Sequence, residues 1–84
     1  AGENRLRGKV QICAISDIFC HGISEANEIS REILSLMNSS DPEKKECKMQ
    51  YMFDNNSLKA RFIFWGNPEF VQKLISVLAK FEKQ

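Results

Sequence analysis

The clearest periodicity along the chain is an alternation every second residue in two neighbouring runs. Over residues 47–53 the less polar Cys47, Met49, Tyr51 and Phe53 alternate with Lys48, Gln50 and then Met52, the period of a half-buried strand. Residues 58–65 resume the alternation. Between the runs, Asp54-Asn55-Asn56-Ser57 is turn chemistry, because Asn and Asp tolerate positive φ and hydrogen-bond their own backbone. The two runs are therefore expected to pair as a hairpin. Earlier in the chain, residues 9–15 (KVQICAI) form a short β-branched run bounded by Gly8 before and Ser16-Asp17 after. This predicts a first strand, with residues 17–22 as a connection.

Elsewhere the apolar positions repeat at three and four residues, the spacing of one helix face. Ser24 is a candidate N-cap, followed by Glu25 and Glu28, acids that suit the positive end of a helix. The stripe Ala26, Ile29, Ile33, Leu36 and Met37 then packs, while Glu28, Arg31, Glu32 and Ser35 fall largely on other faces. Asn38-Ser39-Ser40-Asp41-Pro42 ends this helix, since proline lacks the N–H and disfavours helical geometry in the residue before it. A charged loop over residues 43–46 follows. After Gly66 comes the strongest local signal in the chain. Asn67 stands as N-cap, Pro68 at the first helical position and Glu69 against the dipole. Phe70, Val71, Leu74, Ile75, Leu78 and Phe81 make the expected buried stripe, with Lys80 and Lys83 at the negative end.

The predicted order is strand, helix, strand, strand, helix. Both helices satisfy their apolar faces most simply on one side of a single antiparallel sheet, which makes an α+β two-layer sandwich. The crossover rule places the first strand beside the third, giving strand order 2-3-1. The arrangement resembles a ferredoxin-like fold lacking its last strand, and it leaves one sheet edge unpaired. The helix-covered face would carry Val10, Ile12, Ala14, Met49, Tyr51, Phe53, Leu58, Ala60, Phe62 and Phe64. Gln11, Cys13, Ile15, Lys48, Gln50, Met52, Lys59, Arg61, Ile63 and Trp65 would occupy the open face.

Length and composition narrow this further. Eighty-four residues make one domain, residues 1–84, which buries only about 60–65% of its unfolded surface. Twelve basic against eleven acidic residues leave a net charge of +1, too balanced to presume the electrostatic term that dominates nucleic-acid binding. The three cysteines are odd in number, which favours a reducing, intracellular compartment (cytoplasm or nucleus) over a secreted disulfide framework. No apolar run approaches the roughly 18–20 residues of a membrane span. The chain begins Ala1-Gly2-Glu3-Asn4 without an initiator Met. We expect a module of a longer protein, residues 1–8 forming an N-terminal arm.

Candidate chemistry is sparse. Cys20-His21 joins two metal-binding residue types. The strand and helix order resembles that of heavy-metal-associated domains, which bind metal through two cysteines separated by two residues at the start of the first helix. In Cys20-His21-Gly22-Ile23 the second thiolate is replaced by Ile23, and no metal or other cofactor is expected. Lys59-Ala60-Arg61-Phe62-Ile63-Phe64-Trp65 resembles the aromatic third strand of RNA-recognition domains, whose open-face rings stack bases. Here the alternation sends Phe62 and Phe64 inward and leaves Arg61 and Trp65 outward, with Arg5, Arg7, Lys9, Lys48 and Lys59 available for a basic stripe. Small-molecule regulatory domains of this topology bind ligands after the first strand, where Ser16-Asp17 and His21-Gly22 stand. With one His, no nucleophile elbow and no phosphate-binding glycine loop, the chain is not expected to be an enzyme.

What remains is the open face. Trp65, Ile63 and Met52, with Arg61 and Lys48 as a polar rim and Cys13 and Ile15 alongside, have the composition of an interaction surface. The expected function is a non-enzymatic protein-interaction or homodimerisation module using that face and the free sheet edge, with Trp65 as anchor. The alternative is a divergent RNA-recognition-like domain binding single-stranded nucleic acid. No membrane partner is expected.

Overall fold

The computed structural model describes residues 10–39 and 47–82. Its elements are β1 (Ile12–Phe19), α1 (Ile23–Met37), β2 (Lys48–Asp54), β3 (Lys59–Gly66) and α2 (Pro68–Phe81). β3 lies between β1 and β2 and is antiparallel to both. The fold is the α+β sandwich anticipated from the chain, with its strand order and its open sheet. The expected N-terminal arm, the basic residues Arg5, Arg7 and Lys9, the stop at Asp41-Pro42, the loop at 43–46 and Lys83 lie outside the described residues.

β3 supplies the centre of the core because its alternation is complete. Ala60, Phe62 and Phe64 are fully buried beneath the helices, and Phe62 stacks on Tyr51 of β2 at 4.9 Å between ring centroids. From α1 come Ala26, Ile29 and Ile33, and from α2 Phe70, Val71, Leu74, Leu78 and Phe81. α2 packs on β1 and β3, α1 on β2, and the two helices touch each other. Lys80 reaches Glu32 across that seam at 3.1 Å.

The start of α2 is built as its sequence implies. The Asn67 side chain accepts the Phe70 N–H at 2.8 Å, with Pro68 in the first turn. α1 begins differently from the expectation. Gly22, not Ser24, is its N-cap and offers no side-chain cap. Glu25 compensates from the first turn, its carboxylate accepting the N–H of His21, the residue before the N-cap, at 2.7 Å, one position further back than in a capping box.

Three further expectations are corrected. β1 runs on through Ser16 to Phe19, so the connection shrinks to Cys20-His21-Gly22, and Val10, expected inside, precedes the strand and is 50% exposed. Asp17 can sit in a strand because Arg61 directly opposite pairs with it. Leu58, also expected inside, ends the hairpin turn with φ 55° and faces solvent. Its backbone closes the turn opened by Asp54, whose carboxylate accepts the Asn56 N–H and the Ser57 hydroxyl, and its carbonyl accepts the Cys20 N–H. Ile75 was expected in the buried stripe of α2, yet it is 43% exposed. The stripe narrows because Val71, Leu74 and Leu78 already fill the space over β1 and β3.

Gly66 ends β3 on the covered face. A Cβ there would collide with the Cys47 side chain, which stands opposite it one step beyond the β2–β3 register. Gly66→Ala should therefore destabilise the fold, and Cys47→Ala should recover part of the loss in the double variant, a coupling that a double-mutant cycle in denaturant reads directly. Asn67→Ala should cost about 1 kcal/mol, measured as a lower urea midpoint at unchanged slope.

Candidate open-face site

Because successive side chains of a strand leave on opposite faces, burying Phe62 and Phe64 obliges Arg61, Ile63 and Trp65 to face the other way. The antiparallel registers then set the open face in transverse rows. Cys13, Trp65 and Lys48 form one row, Ile15, Ile63 and Gln50 the next, then Asp17, Arg61 and Met52, then Phe19, Lys59 and Asp54. All seven residues singled out in the sequence, Trp65, Ile63, Arg61, Met52, Lys48, Cys13 and Ile15, share this face. No described helix covers it.

The rows are apolar along β1 and at one end of β3, with charge between. Phe19 is 73% exposed, Ile15 61%, Met52 43% and Trp65 37%. Arg61 grips Asp17 in a bidentate pair, Nε to Oδ1 at 2.7 Å and Nη2 to Oδ2 at 3.0 Å. The hydrogen bonds from Arg61 and its positive charge hold the Asp17 carboxyl below its ordinary value and raise the Arg61 guanidinium in turn. The centre of the face is thus a satisfied ion pair. Lys48 and Lys59 lie to either side of it.

Phe19 and Asp17 were not expected on the open face, because the first strand was expected to end at residue 15 and Ser16-Asp17 to begin a loop. Ile12, Ala14, Ser16 and Ile18 on one face and Cys13, Ile15, Asp17 and Phe19 on the other each mix apolar and polar residues, so no polarity alternation marks the true end of β1.

The other candidate constellations do not assemble. Cys20 is buried, its thiol pushed up chiefly by burial and then by the Glu25 charge, whereas the His21 side chain is 91% exposed and lies 3.2 Å from Glu25. Thiol and imidazole therefore point into different surroundings. Among the described residues no three His, Cys, Asp or Glu side chains gather to hold a metal ion. Ser16-Asp17, placed in a ligand-binding loop by the sequence, is inside β1. Asp17 and His21 nevertheless both line a cavity of about 290 Å³ between the end of β1 and α2, with Phe19, Glu25, Leu78 and Phe81, whereas Ser16 and Gly22 do not reach it. Phe62 and Phe64 are buried and so present no ring to a base. No described helix is long and apolar enough to cross a membrane.

The Asp17–Arg61 pair makes a pH-dependent contribution of known sign. A carboxyl held below its ordinary 3.8 stabilises the fold fully above that value and loses the contribution as pH falls through the lower folded value. Thermal midpoints of wild type and Asp17→Asn should differ at neutral pH and converge in acid. A difference that persists unchanged to the lowest pH would mean that the charge of Asp17 is not what matters.

No family model, no curated protein and no solved structure matches this chain, so what the open face can bind follows from its own chemistry alone.

Proposed function

We propose that this chain is a non-enzymatic protein-interaction module that binds through the open sheet face, its simplest partner being a second copy of itself. The observation that carries the reading is the exposure of Ile15, Phe19, Met52 and Trp65 on one face around a neutralised Asp17–Arg61 pair. Large apolar groups in water lose favourable burial at about 25 cal/mol per Å², and several of them exposed on one face, here to either side of a paired polar row, are what a protein partner can bury. Trp65 is the anchor. It is flanked by Cys13 and Lys48 in its row, and indole combines a large apolar body with one hydrogen-bond donor.

A second reading, single-stranded nucleic acid on the same face, draws on Trp65 beside Lys48 and on Lys59. It is the weaker of the two because Arg61 already spends its guanidinium on Asp17, and because the net charge of +1 supplies little counterion release. The odd count of three cysteines supports an intracellular setting.

The chain has one Trp, so its fluorescence reports on this face alone. Association should shift Trp65 emission to the blue as concentration rises, and the effect should survive high salt. Trp65→Ala should weaken association about tenfold or more while leaving the circular dichroism intact. Loss of folding in that variant would place Trp65 in the core and overturn the proposal. Binding of a single-stranded RNA that collapses with salt and with Arg61→Glu would favour the nucleic-acid reading instead.

A further inference from the structure

The outer edge of β1 has a defined chemistry. The Cys20 N–H bonds Leu58 O at 2.8 Å, one step beyond the β1–β3 register. Antiparallel ladders alternate, so Ile12, Ala14, Ser16 and Ile18 direct their backbone groups to β3, and Cys13, Ile15, Asp17 and Phe19 direct theirs outward. No described strand takes them up. Natural edges are usually protected by Lys, Pro, a bulge or an unpaired charge. β1 reads ICAISDIF, with Asp17 its one charge, and that charge is neutralised by Arg61 within the same sheet.

Exposed apolar side chains flank the edge on both sides. On the open face stand Ile15 and Phe19. In the helical layer, Lys80 marks the side of α2 that faces α1, through its pair with Glu32. Ile75, five residues earlier, lies about 140° round the helix from Lys80, on the flank of α2 away from α1. Since α2 is the helix that packs on β1, that flank overhangs the free edge. A strand added there would lie beneath Ile75 and beside Ile15.

We infer that the occupant is β1 of a second copy, antiparallel and centred on Ile15. The inference rests on the interaction reading above and names its partner. A two-fold axis lets the same edge serve both copies, and a net charge of +1 opposes their approach little. Side-chain pairing selects the register. Centring on Asp17 would put the two Asp17–Arg61 pairs side by side with no apolar contact at the axis, and centring on Ser16 would set Asp17 against the partner's Ile15. Centring on Ile15 opposes it to the partner's Ile15 and sets Asp17 against the partner's Cys13. Because Ile63 sits beside Ile15 in its row, isoleucines then run across both copies, and two three-stranded sheets become one. In this register the two strands overlap from Ile12 to Ile18 of each copy.

Sedimentation of the full chain over a micromolar concentration series, with two sets of variants, tests this. Ile15→Lys should return the dimer to monomer with unchanged circular dichroism. Ile15→Pro should do the same, because the N–H it removes faces outward and bonds nothing in β1–β3. Paired residues of this kind have Cα atoms about 5.5 Å apart, within the span of a disulfide, and a small strand shift brings the Cβ atoms into reach. Under mild oxidation Cys13→Ser/Ile15→Cys should therefore cross-link. Wild-type Cys13 should not, because the two copies of it are offset by four residues, about 13 Å. A monomer at every concentration overturns the inference. So does a dimer that Ile15→Lys leaves intact and Trp65→Ala dissolves, which would place the contact on the face and spare the interaction reading. A dimer dissolved by Ile15→Lys but indifferent to Trp65→Ala upholds the edge and overturns Trp65 as anchor.

Discussion

Everything in this molecule follows from the one-sided burial of β3. Ala60, Phe62 and Phe64 fill the space under both helices, and no other described strand touches two neighbours. The period of two then fixes where Arg61, Ile63 and Trp65 go. Register follows as well, since a slip of one residue would bring Arg61 under the helices and carry Phe62 into water. A sheet covered on one side by two helices has a second side to account for, and here that side is neither uniformly polar nor continuous with the core.

The charges of the open face show how it remains compatible with a folded monomer. Asp17 and Arg61 satisfy each other through two hydrogen bonds, leaving neither an isolated carboxylate in a strand nor a bare guanidinium beside Met52. Planar guanidinium against carboxylate is the geometry in which such a pair is most specific. The pair lies between Ile15–Ile63 on one side and Phe19–Lys59 on the other, so apolar groups are interrupted by a neutral polar row. That spacing limits unspecific stickiness and still leaves Trp65 and Phe19 accessible at the two ends.

Local signals were readable in the sequence and distant ones were not. The Asn67-Pro68 start of α2 and the alternation of β2 and β3 depend on neighbours within a few residues, and they appear where expected. The extent of β1 depends on Arg61, 44 residues away from Asp17, so Ser16-Asp17 read as a stop when it is the middle of a strand. Glu25 took over the capping of α1 from Ser24 because its carboxylate can reach back to the His21 N–H, a choice that spacing alone does not make. Ile75 fits the helical period, but whether a residue at the margin of a stripe is covered depends on the neighbouring element, and beyond β1 there is none among the described residues. Seven open-face residues were legible because strand alternation assigns faces. Phe19 was missed with the end of its strand.

The separation between β1 and its partner strand also governs the order in which the fold can be assembled. β2 and β3 are joined by a short turn and can pair within microseconds, as hairpins do. β1 must close a loop that includes all of α1 before its first bond to β3 forms, and the entropy of that closure is met before any contact repays it. Until then β3 is itself an edge, with Phe62 and Phe64 incompletely covered. The strand whose outer edge no described strand pairs in the native state is the one that shields β3 during folding.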